Sequence, residues 1–316
     1  MVARRIQPIF GGHGNLIKGV EKMELAHFER TVAARNNDAA AMIDTERYPI
    51  DQLEHPVMQR AIAAARAGLT QEGCARIPGF LRAEYRDLIA DETAALAPRS
   101  LHSSEAYTPY GTGPDDSYPE GHPRRRAHRT TSGSVTRDLI PAETAIQRIY
   151  TDPRMRAFVA ACLGADEVYE FADPMRGLIV NVMEEGNVLG WHFDANEFIV
   201  SLMTKRADAG GVFEYCPDLR APGDENYDAV REVLDGTSNK VKRLDLQVGD
   251  LQLFKGRYSL HRVNRIEKGS RHTVIFGYAR EPGFIGSVAS TKRVYGRVMQ
   301  EHLDAEHRRH SDGLAD

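Results

Sequence analysis

The chain has 316 residues, of which 41% are hydrophobic and 27% charged, and this composition predicts a folded protein with a substantial apolar core. Its 41 basic and 45 acidic side chains give a formal net charge of -4, which argues against a general nucleic-acid binder. No apolar run approaches the ~20 residues of a membrane span, and no apolar segment follows the basic start at 1–5. We therefore expect neither a membrane protein nor a signal peptide.

The cysteines are few and far apart. The chain contains three of them, at Cys74, Cys162 and Cys216, and they form no CxxC pair. This spacing argues against a disulfide scaffold and against a cysteine-rich zinc site, and it suits a reducing compartment. We expect a cytoplasmic protein, in which a metal site would be built from nitrogen and oxygen ligands.

The first half of the sequence has mainly helical patterns. The first 50 residues carry no interpretable signal, but apolar side chains then recur at helical spacing over 51–67, 83–96 and 142–163. Between them, residues 100–134 are polar and rich in Gly, Pro and Tyr, which predicts a long, lid-like functional loop. We predict a mainly helical N-terminal portion over 1–165.

The second half reads as short strands separated by Gly and Asp turns. A helix is predicted at 224–234 and a polar helix at 290–309, and strands are predicted at 177–183, 188–193, 198–204, 211–215, 241–246, 251–254, 259–263 and 273–279. Eight short strands at this spacing favour a jelly roll. The predicted fold class is α+β: a double-stranded β-helix (jelly-roll or cupin-like) core over 166–283 and a helical tail over 284–316, in one catalytic domain over 1–316.

Three side chains in these strands could hold a metal ion. His192 and Asp194 are two residues apart, so in a strand they project from the same face. His261 lies near the start of a late strand. Two imidazoles and one carboxylate form the facial triad that binds non-haem Fe(II) and leaves three positions open.

The last predicted core strand carries a group that could hold an anion. Arg271 lies ten residues after His261, and Thr273 shares its face of the strand. An inward arginine can form a bidentate pair with a carboxylate. A metal triad with such a clamp suits a 2-oxo diacid, which would chelate the metal and place its far carboxylate on Arg271.

With these residues the sequence resembles the Fe(II)- and 2-oxoglutarate-dependent oxygenases. The matching pieces are His192-Phe193-Asp194, His261 and Arg271-His272-Thr273. Within that family it looks like the subgroup of amino-acid halogenases and their hydroxylase relatives, on the following stretches: Gly190-Trp191-His192-Phe193-Asp194, Gly210-Gly211-Val212-Phe213-Glu214-Tyr215, Gly249-Asp250-Leu251, Phe254 to Val263, Tyr278 with Pro282-Gly283, Tyr295-Gly296-Arg297 and the upstream His122-Pro123-Arg124-Arg125. The likeness covers roughly 100–300. It implies Fe(II), 2-oxoglutarate and dioxygen as cofactor and cosubstrates, with His192, Asp194 and His261 as metal ligands.

One departure bears on the reaction. In the halogenating members the carboxylate position holds a small residue such as glycine, and chloride takes the vacated site, whereas this chain has Asp194 there. The resemblance therefore implies hydroxylation of an unactivated C–H bond, with release of succinate and CO2, or another oxygen-derived outcome such as desaturation. It also implies a small free amino acid or a close derivative as substrate.

Candidates for substrate contacts are weaker in the sequence. Arg129, at the end of a basic segment, is the arginine most expected to point inward and bind a carboxylate. Asn196 follows Asp194 by two residues, and Asn181 lies on the preceding strand, so both could reach the pocket if the strands continue. For each asparagine, a turn or backbone-bonding role is an equal alternative.

Two other readings remain open at this point. One is a cupin-like metal enzyme that does not use 2-oxoglutarate, and the other is a non-catalytic jelly-roll binding module. The first would leave Arg271 without a purpose, and the second has no need of His192, Asp194 and His261 together. We expect a small-molecule substrate and neither a nucleic-acid nor a membrane partner, and the oligomeric state is left open.

Overall fold

The structure is a computed structural model, and it describes residues 38–306. The parts of the predicted N-terminal portion and tail at 1–37 and 307–316 lie outside the described residues, and the single catalytic domain stays a prediction. None of the helices between residues 38 and 306 combines the length and apolar character needed to cross a membrane.

Helices dominate the region before residue 165 and return after the core strands. Within the described residues, the α-helices are α1 (Pro56–Glu72), α2 (Ala83–Leu96), α3 (Ala145–Thr151), α4 (Pro153–Leu163), α5 (Tyr227–Leu234), α6 (Val288–Tyr295) and α7 (Gln300–Glu306). The bounds of α2 are those predicted. The helix predicted over 142–163 is two helices, because Asp152 caps the Arg154 N–H at 2.8 Å and Pro153 starts a new helix.

The strands form two main sheets. In chain order they are β1 (Cys74–Ile77), β2 (Leu101–Tyr107), β3 (His128–Thr136), β4 (Tyr169–Glu170), β5 (Leu178–Met183), β6 (Leu189–His192), β7 (Ile199–Lys205), β8 (Ala209–Gly210), β9 (Phe213–Cys216), β10 (Lys242–Leu244), β11 (Leu251–Phe254), β12 (Leu260–Val263), β13 (Ile266–Lys268), β14 (Arg271–Phe276) and β15 (Tyr278–Ala279). The major sheet has the order β1-β11-β7-β14-β5-β3-β2, and the minor sheet has the order β10-β9-β12-β6.

The core strands alternate between these sheets along the chain. β5, β7, β11 and β14 belong to the major sheet, and β6, β9 and β12 to the minor sheet, with antiparallel pairing throughout. This alternation is the winding of a double-stranded β-helix, so the predicted fold class is confirmed. The metal-ligand candidates and the arginine clamp therefore come from facing sheets of one barrel.

The core strands β5, β7, β11 and β14 of the major sheet are buried on both faces, which explains their apolar sequences. On its outer face, Val180, Val182, Val274 and Phe276 pack against helical side chains such as Ile62 of α1 in one apolar cluster. On its inner face, side chains from both sheets meet in a second cluster, which includes Met183, Phe213, Phe254 and Val263. Period-two alternation sends successive side chains to these two environments.

Residues 100–134 differ from the predicted loop. β2 and β3 pair over their whole length, with Leu101 opposite Ser134 and Tyr107 opposite His128, and β3 joins β5 to extend the major sheet. The predicted lid-like loop over 100–134 is wrong at both of its ends, where β2 and β3 form instead. The polar strands were missed because their exposed and cavity-facing positions hold Ser, Thr, His and Glu, which hide the apolar alternation that marks a half-buried strand.

Candidate metal centre and substrate cavity

Three ligand side chains converge inside the barrel. His192 ends β6, Asp194 lies two residues beyond it, and His261 is opposite His192 in the β12–β6 register. One ligand atom from each of the three residues lies within 4.8 Å of the others. Nε2 of His192 is 3.7 Å from Oδ1 of Asp194, and Nε2 of His261 is 3.4 Å from Oδ2.

Backbone carbonyls fix the orientation of both imidazoles. Nδ1 of His192 donates to the Gly190 carbonyl at 2.8 Å, and Nδ1 of His261 donates to the Ser259 carbonyl at 3.0 Å. Because a carbonyl only accepts, Nδ1 carries a proton in this orientation, and an imidazole in its neutral form then leaves the Nε2 lone pair free to bind a metal. Burial, reinforced by His261, lowers the pKa of His192 to about 4 although Asp194 opposes the shift, so this ring is neutral at pH 7.

The Asp194 carboxylate is held as an anion. Its backbone N–H donates to the Gly256 carbonyl at 3.0 Å, and its Oδ2 is buried without a hydrogen-bond partner among the described residues. Burial alone would raise the pKa of Asp194, but His261, then His192 and Arg220, hold that pKa below its usual value. Two imidazole nitrogens and a partly buried carboxylate with an unused oxygen fit Fe(II) as a facial triad.

Arg271 is a buried cation in the barrel wall. It begins β14, is 5% exposed, and forms no ion pair with any described carboxylate, while its Nε has no hydrogen-bond partner. Burial lowers the pKa of Arg271 to about 10, and an arginine remains charged at neutral pH. It lines a small cavity of about 40 Å³. An uncompensated buried charge is costly, so this site fits an anionic ligand.

Thr273 accompanies Arg271 on the inner face. Its Oγ1 is buried and has no hydrogen-bond partner among the described residues. Its register partners are Asn181 on β5 and Met203 on β7. Thr273 shares a strand face with Arg271, but only Arg271 is among the described residues that line the small cavity. The predicted binding of the far carboxylate of 2-oxoglutarate by both residues stays a prediction.

A cavity of about 270 Å³ opens next to the ligand cluster. His192 and Asp194 form one part of its wall, and the remaining lining is aromatic, hydroxylic and cationic. The lining residues with polar side chains are Ser103, Tyr107, Thr108, Tyr110, Thr130, Ser132, Ser134, Arg176, Arg220, Ser290 and Arg293. Its volume is slightly below the range of pockets for drug-sized ligands, ~300–1,000 Å³, which suits a small substrate.

The predicted substrate contacts are not brought to this cavity. Arg129 is exposed, because its strand turns Thr130 and Ser132 to the cavity and position 129 to the opposite face. Asn181 donates to the Gly133 carbonyl at 3.4 Å, and Asn196 lies in a bend after β6 has ended, so its expected alignment with Asp194 does not hold. Neither asparagine is among the described residues that line the cavity.

The cationic lining comes from residues that sequence reasoning missed. Ser290, Arg293 and Val294 lie at positions i, i+3 and i+4 on α6, so one face of that helix closes the cavity. Arg176 precedes β5, and Arg220 follows β9. The helical spacing on α6 was readable, but nothing in the sequence distinguishes its cavity face from its solvent face.

The fold and site together define the class of the protein. A double-stranded β-helix with a His-x-Asp and distal His cluster, and with an inward arginine on a late core strand, is an Fe(II)- and 2-oxoglutarate-dependent oxygenase. The chain belongs to the Halogenase D family, whose model matches residues 57–290. Among curated proteins, none matches the chain significantly.

Solved structures share parts of this architecture at low sequence identity. An oxidoreductase of the 2OG-Fe(II) oxygenase family from Burkholderia pseudomallei is 18% identical, covers 70% of this chain and 92% of its own, and has a TM-score of 0.46. A prolyl hydroxylase from Trichoplax adhaerens, in complex with a hypoxia inducible factor peptide, is 15% identical, with 70% and 89% covered and a TM-score of 0.47. A Pseudomonas putida prolyl-4-hydroxylase is 14% identical, with 70% and 99% covered and a TM-score of 0.45. These likenesses carry no information on the substrate.

Proposed function

We propose that this protein is a hydroxylase that uses Fe(II), 2-oxoglutarate and dioxygen to oxidise an unactivated C–H bond of a small free amino acid or amino-acid derivative. The observation that carries the proposal is the third metal ligand. Asp194 lies with His192 and His261 in one cluster of ligand atoms, all within 4.8 Å of one another. In the halogenating relatives that the sequence resembles, a small residue leaves this position to chloride. Here a carboxylate fills it and supplies its negative charge.

The chain's own residues have separable tasks in this reaction. His192, Asp194 and His261 would hold Fe(II), and their hydrogen bonds to backbone carbonyls and to Gly256 keep the ligand atoms in place before the metal arrives. Arg271 and Thr273 would bind the far carboxylate of 2-oxoglutarate. The bound metal and cosubstrates would supply the oxidising chemistry, with 2-oxoglutarate converted to succinate and CO2.

The cavity supports a small substrate close to the metal. Two aromatic rings and a guanidinium pack together in the cavity wall that also holds His192 and Asp194: Tyr110 lies 5.8 Å from Phe193 between ring centroids, and Arg220 packs 4.1 Å above the Phe193 ring. We also propose that the protein works in the reducing cytoplasm, which is supported by its three cysteines, all buried and free.

A product screen tests the proposed reaction. The protein is incubated with Fe(II), 2-oxoglutarate, dioxygen and chloride against the free amino acids one by one, and succinate and product mass are measured. We expect one amino acid or close derivative to gain the mass of one oxygen while succinate forms in step. A parallel reaction without 2-oxoglutarate is the control. A gain of chlorine would contradict the argument from Asp194, a loss of two hydrogens would indicate desaturation, and turnover without 2-oxoglutarate would indicate the cupin-like alternative.

A further inference from the structure

The wall of the substrate cavity has an unbalanced charge. Among the described residues, three arginines line it, at Arg176, Arg220 and Arg293, and the only lining carboxylate is the metal ligand Asp194. The charge of Arg220 is compensated, since its Nη1 is 3.1 Å from Glu225 and its Nε donates to the Arg257 carbonyl at 2.6 Å. Metal binding would withdraw Asp194 from any further ion pair.

Arg176 and Arg293 form the cationic part of this wall. Nε of Arg176 is 3.7 Å from Oδ2 of Asp173, and the same oxygen lies 3.3 Å from Nε2 of His302. Nη2 of Arg176 donates a hydrogen bond to the Ser290 hydroxyl at 2.9 Å. Arg293 forms no ion pair with any carboxylate among the described residues, and its guanidinium lies 5.7 Å from the centroid of the Tyr107 ring. Arg176 contacts Ser290, which lies one turn before Arg293 on the same helix, and both arginines line the cavity. Burial lowers the pKa of Arg293, Tyr107 acts against this, and the positive charge of Arg176 lowers that pKa further.

Among the described residues, the cavity wall offers a cationic substrate side chain no carboxylate other than the proposed metal ligand Asp194. The polar groups that remain are hydroxyls, including Ser132 and Ser134, which lie two residues apart on β3 and face the cavity together. Hydroxyls can accept one hydrogen bond from an α-ammonium group, but they do not neutralise a second positive charge. A second cation next to Arg293 and Arg176 would also be repelled at low local dielectric.

We propose that Arg293, supported by Arg176, binds a carboxylate of the substrate, and that the cavity selects amino acids with acidic or neutral side chains against cationic ones. This inference rests on the proposed function, because it concerns the substrate of the same site. A guanidinium presents a planar fork of donors that matches a carboxylate, and Arg293 is the lining arginine whose charge the described protein leaves unpaired.

Calorimetry on the loaded protein tests this selectivity without turnover. The protein is saturated with Fe(II) and 2-oxoglutarate under anaerobic conditions and titrated with each of the common L-amino acids, then with the primary amide of the tightest binder. We expect an acidic or neutral amino acid to bind at least 10-fold tighter than lysine or arginine, and to lose at least 10-fold in affinity as its amide. Tightest binding of lysine or arginine, equal binding of acid and amide, or no binding of any amino acid would overturn the proposal.

Variants on α6 connect this preference to one side chain. Arg293→Gln is expected to weaken binding of the preferred amino acid at least 10-fold, and Arg293→Lys to recover part of that loss by keeping the charge. Lys292→Gln is the matched control, since it removes the neighbouring positive charge from an exposed position that does not line the cavity. Unchanged affinity in Arg293→Gln, or an equal loss in Lys292→Gln, would contradict the assignment.

The same titrations separate this inference from the proposed function. Binding of 2-oxoglutarate to the Fe(II)-loaded protein is measured first, and Arg293→Gln is expected to leave it unchanged within twofold because 2-oxoglutarate is assigned to Arg271. A protein that binds neither Fe(II) nor 2-oxoglutarate would contradict the proposed function itself. A protein that binds both but prefers cationic amino acids would contradict only the role of Arg293.

Discussion

Gly256 leaves no room for a side chain beside Asp194. A Cβ at position 256 would lie 2.6 Å from Cγ of Asp194 and 2.9 Å from its Cβ, closer than real Cβ contacts. The Gly256 carbonyl also accepts the Asp194 N–H at 3.0 Å. The absence of a side chain at 256 therefore helps to place the third metal ligand, although the two residues are far apart in sequence.

Substituting Gly256→Ala should displace the Asp194 carboxylate. Because the added methyl group meets Asp194 itself, the expected result is a loss of about 10- to 100-fold in Fe(II) affinity, the range seen when groups that orient metal ligands are removed. Calorimetric titration of the apoprotein with Fe(II) under anaerobic conditions measures this. Gly113→Ala is the control, because a Cβ at Gly113 meets nothing within 4 Å. Equal Fe(II) affinity in both variants would show that Gly256 does not position the ligand.

Removing the carboxylate itself tests the reaction class. Asp194→Gly takes away a metal ligand and its negative charge, so we expect no oxygenated product and a loss of Fe(II) affinity of at least about 10-fold. Asp194→Asn keeps the shape of the side chain without its charge, so its Fe(II) affinity should lie between those of the parent and of Asp194→Gly. Product mass and metal titration are the measurements. Full hydroxylation by Asp194→Gly would show that the triad is misassigned.

Arg271 offers a test that does not depend on turnover. In Arg271→Met an apolar side chain of similar length replaces a buried charge, so the apoprotein should unfold at the same temperature as the parent or higher. The affinity for 2-oxoglutarate should fall at least about 10-fold, since a charge-assisted hydrogen bond is worth about 1.5–3 kcal/mol. At a 2-oxoglutarate concentration of 100 times the parent's Kd, the parent should gain about 2.7 kcal/mol of stability, and a variant that binds 10-fold more weakly should gain about 1.4 kcal/mol.

The control for that experiment is Arg231→Met, which removes an arginine paired with Asp228 on the solvent side of α5. It should leave 2-oxoglutarate affinity unchanged, and ligand-induced stabilisation should match the parent. Equal stabilisation of Arg271→Met and the parent by 2-oxoglutarate would remove Arg271 from the cosubstrate site. In that case its buried, unpaired guanidinium would require another anion.

The meeting of His192 and His261 could be predicted from the sequence because it depends on regular strand structure, whereas Asp194 joins their cluster from beyond the end of β6. His192 and His261 lie on neighbouring antiparallel strands, where period-two alternation and register decide which side chains meet. The same alternation on β14 predicted that Arg271 points into the barrel. The core strands were predicted for a related reason, since strands covered on both sides read as continuous apolar runs.

The substrate cavity could not be predicted because it depends on tertiary packing of polar segments. Arg129 and Thr130 are neighbours on β3, and only the pairing of β3 with β2 and β5 decides which of them faces the cavity. Arg293 reaches the cavity because α6 closes it, which no local pattern encodes. Asn196 was misplaced because β6 ends at His192, where the alternation that carried the argument stops.

The buried carboxyl group of Glu92, which does not line the cavity, should make the stability of the folded protein depend on pH. This fully buried side chain of α2 accepts the N–H groups of Ala145 and Ile146 at the start of α3, at 2.7 and 3.1 Å. Burial raises the pKa of Glu92 to about 7, and these hydrogen bonds only partly oppose it. Because its pKa is higher in the folded state, Glu92 contributes stability that is fully present below its unfolded pKa of about 4.5 and is lost as pH rises through about 7.

Substituting Glu92→Gln should therefore remove the destabilisation that an ionised, buried Glu92 causes in the parent at high pH. The free energy of unfolding of Glu92→Gln should increase relative to that of the parent between pH 5 and pH 8, by up to about 3 kcal/mol. The variant is thus expected to become the more stable protein as the pH rises. Urea unfolding at both pH values measures this difference. Asp91→Asn is the matched control, because Asp91 is the exposed neighbour on the same helix and should show no such change. A difference between Glu92→Gln and the parent that stays constant from pH 5 to pH 8 would mean that Glu92 titrates at its usual pKa in the folded protein.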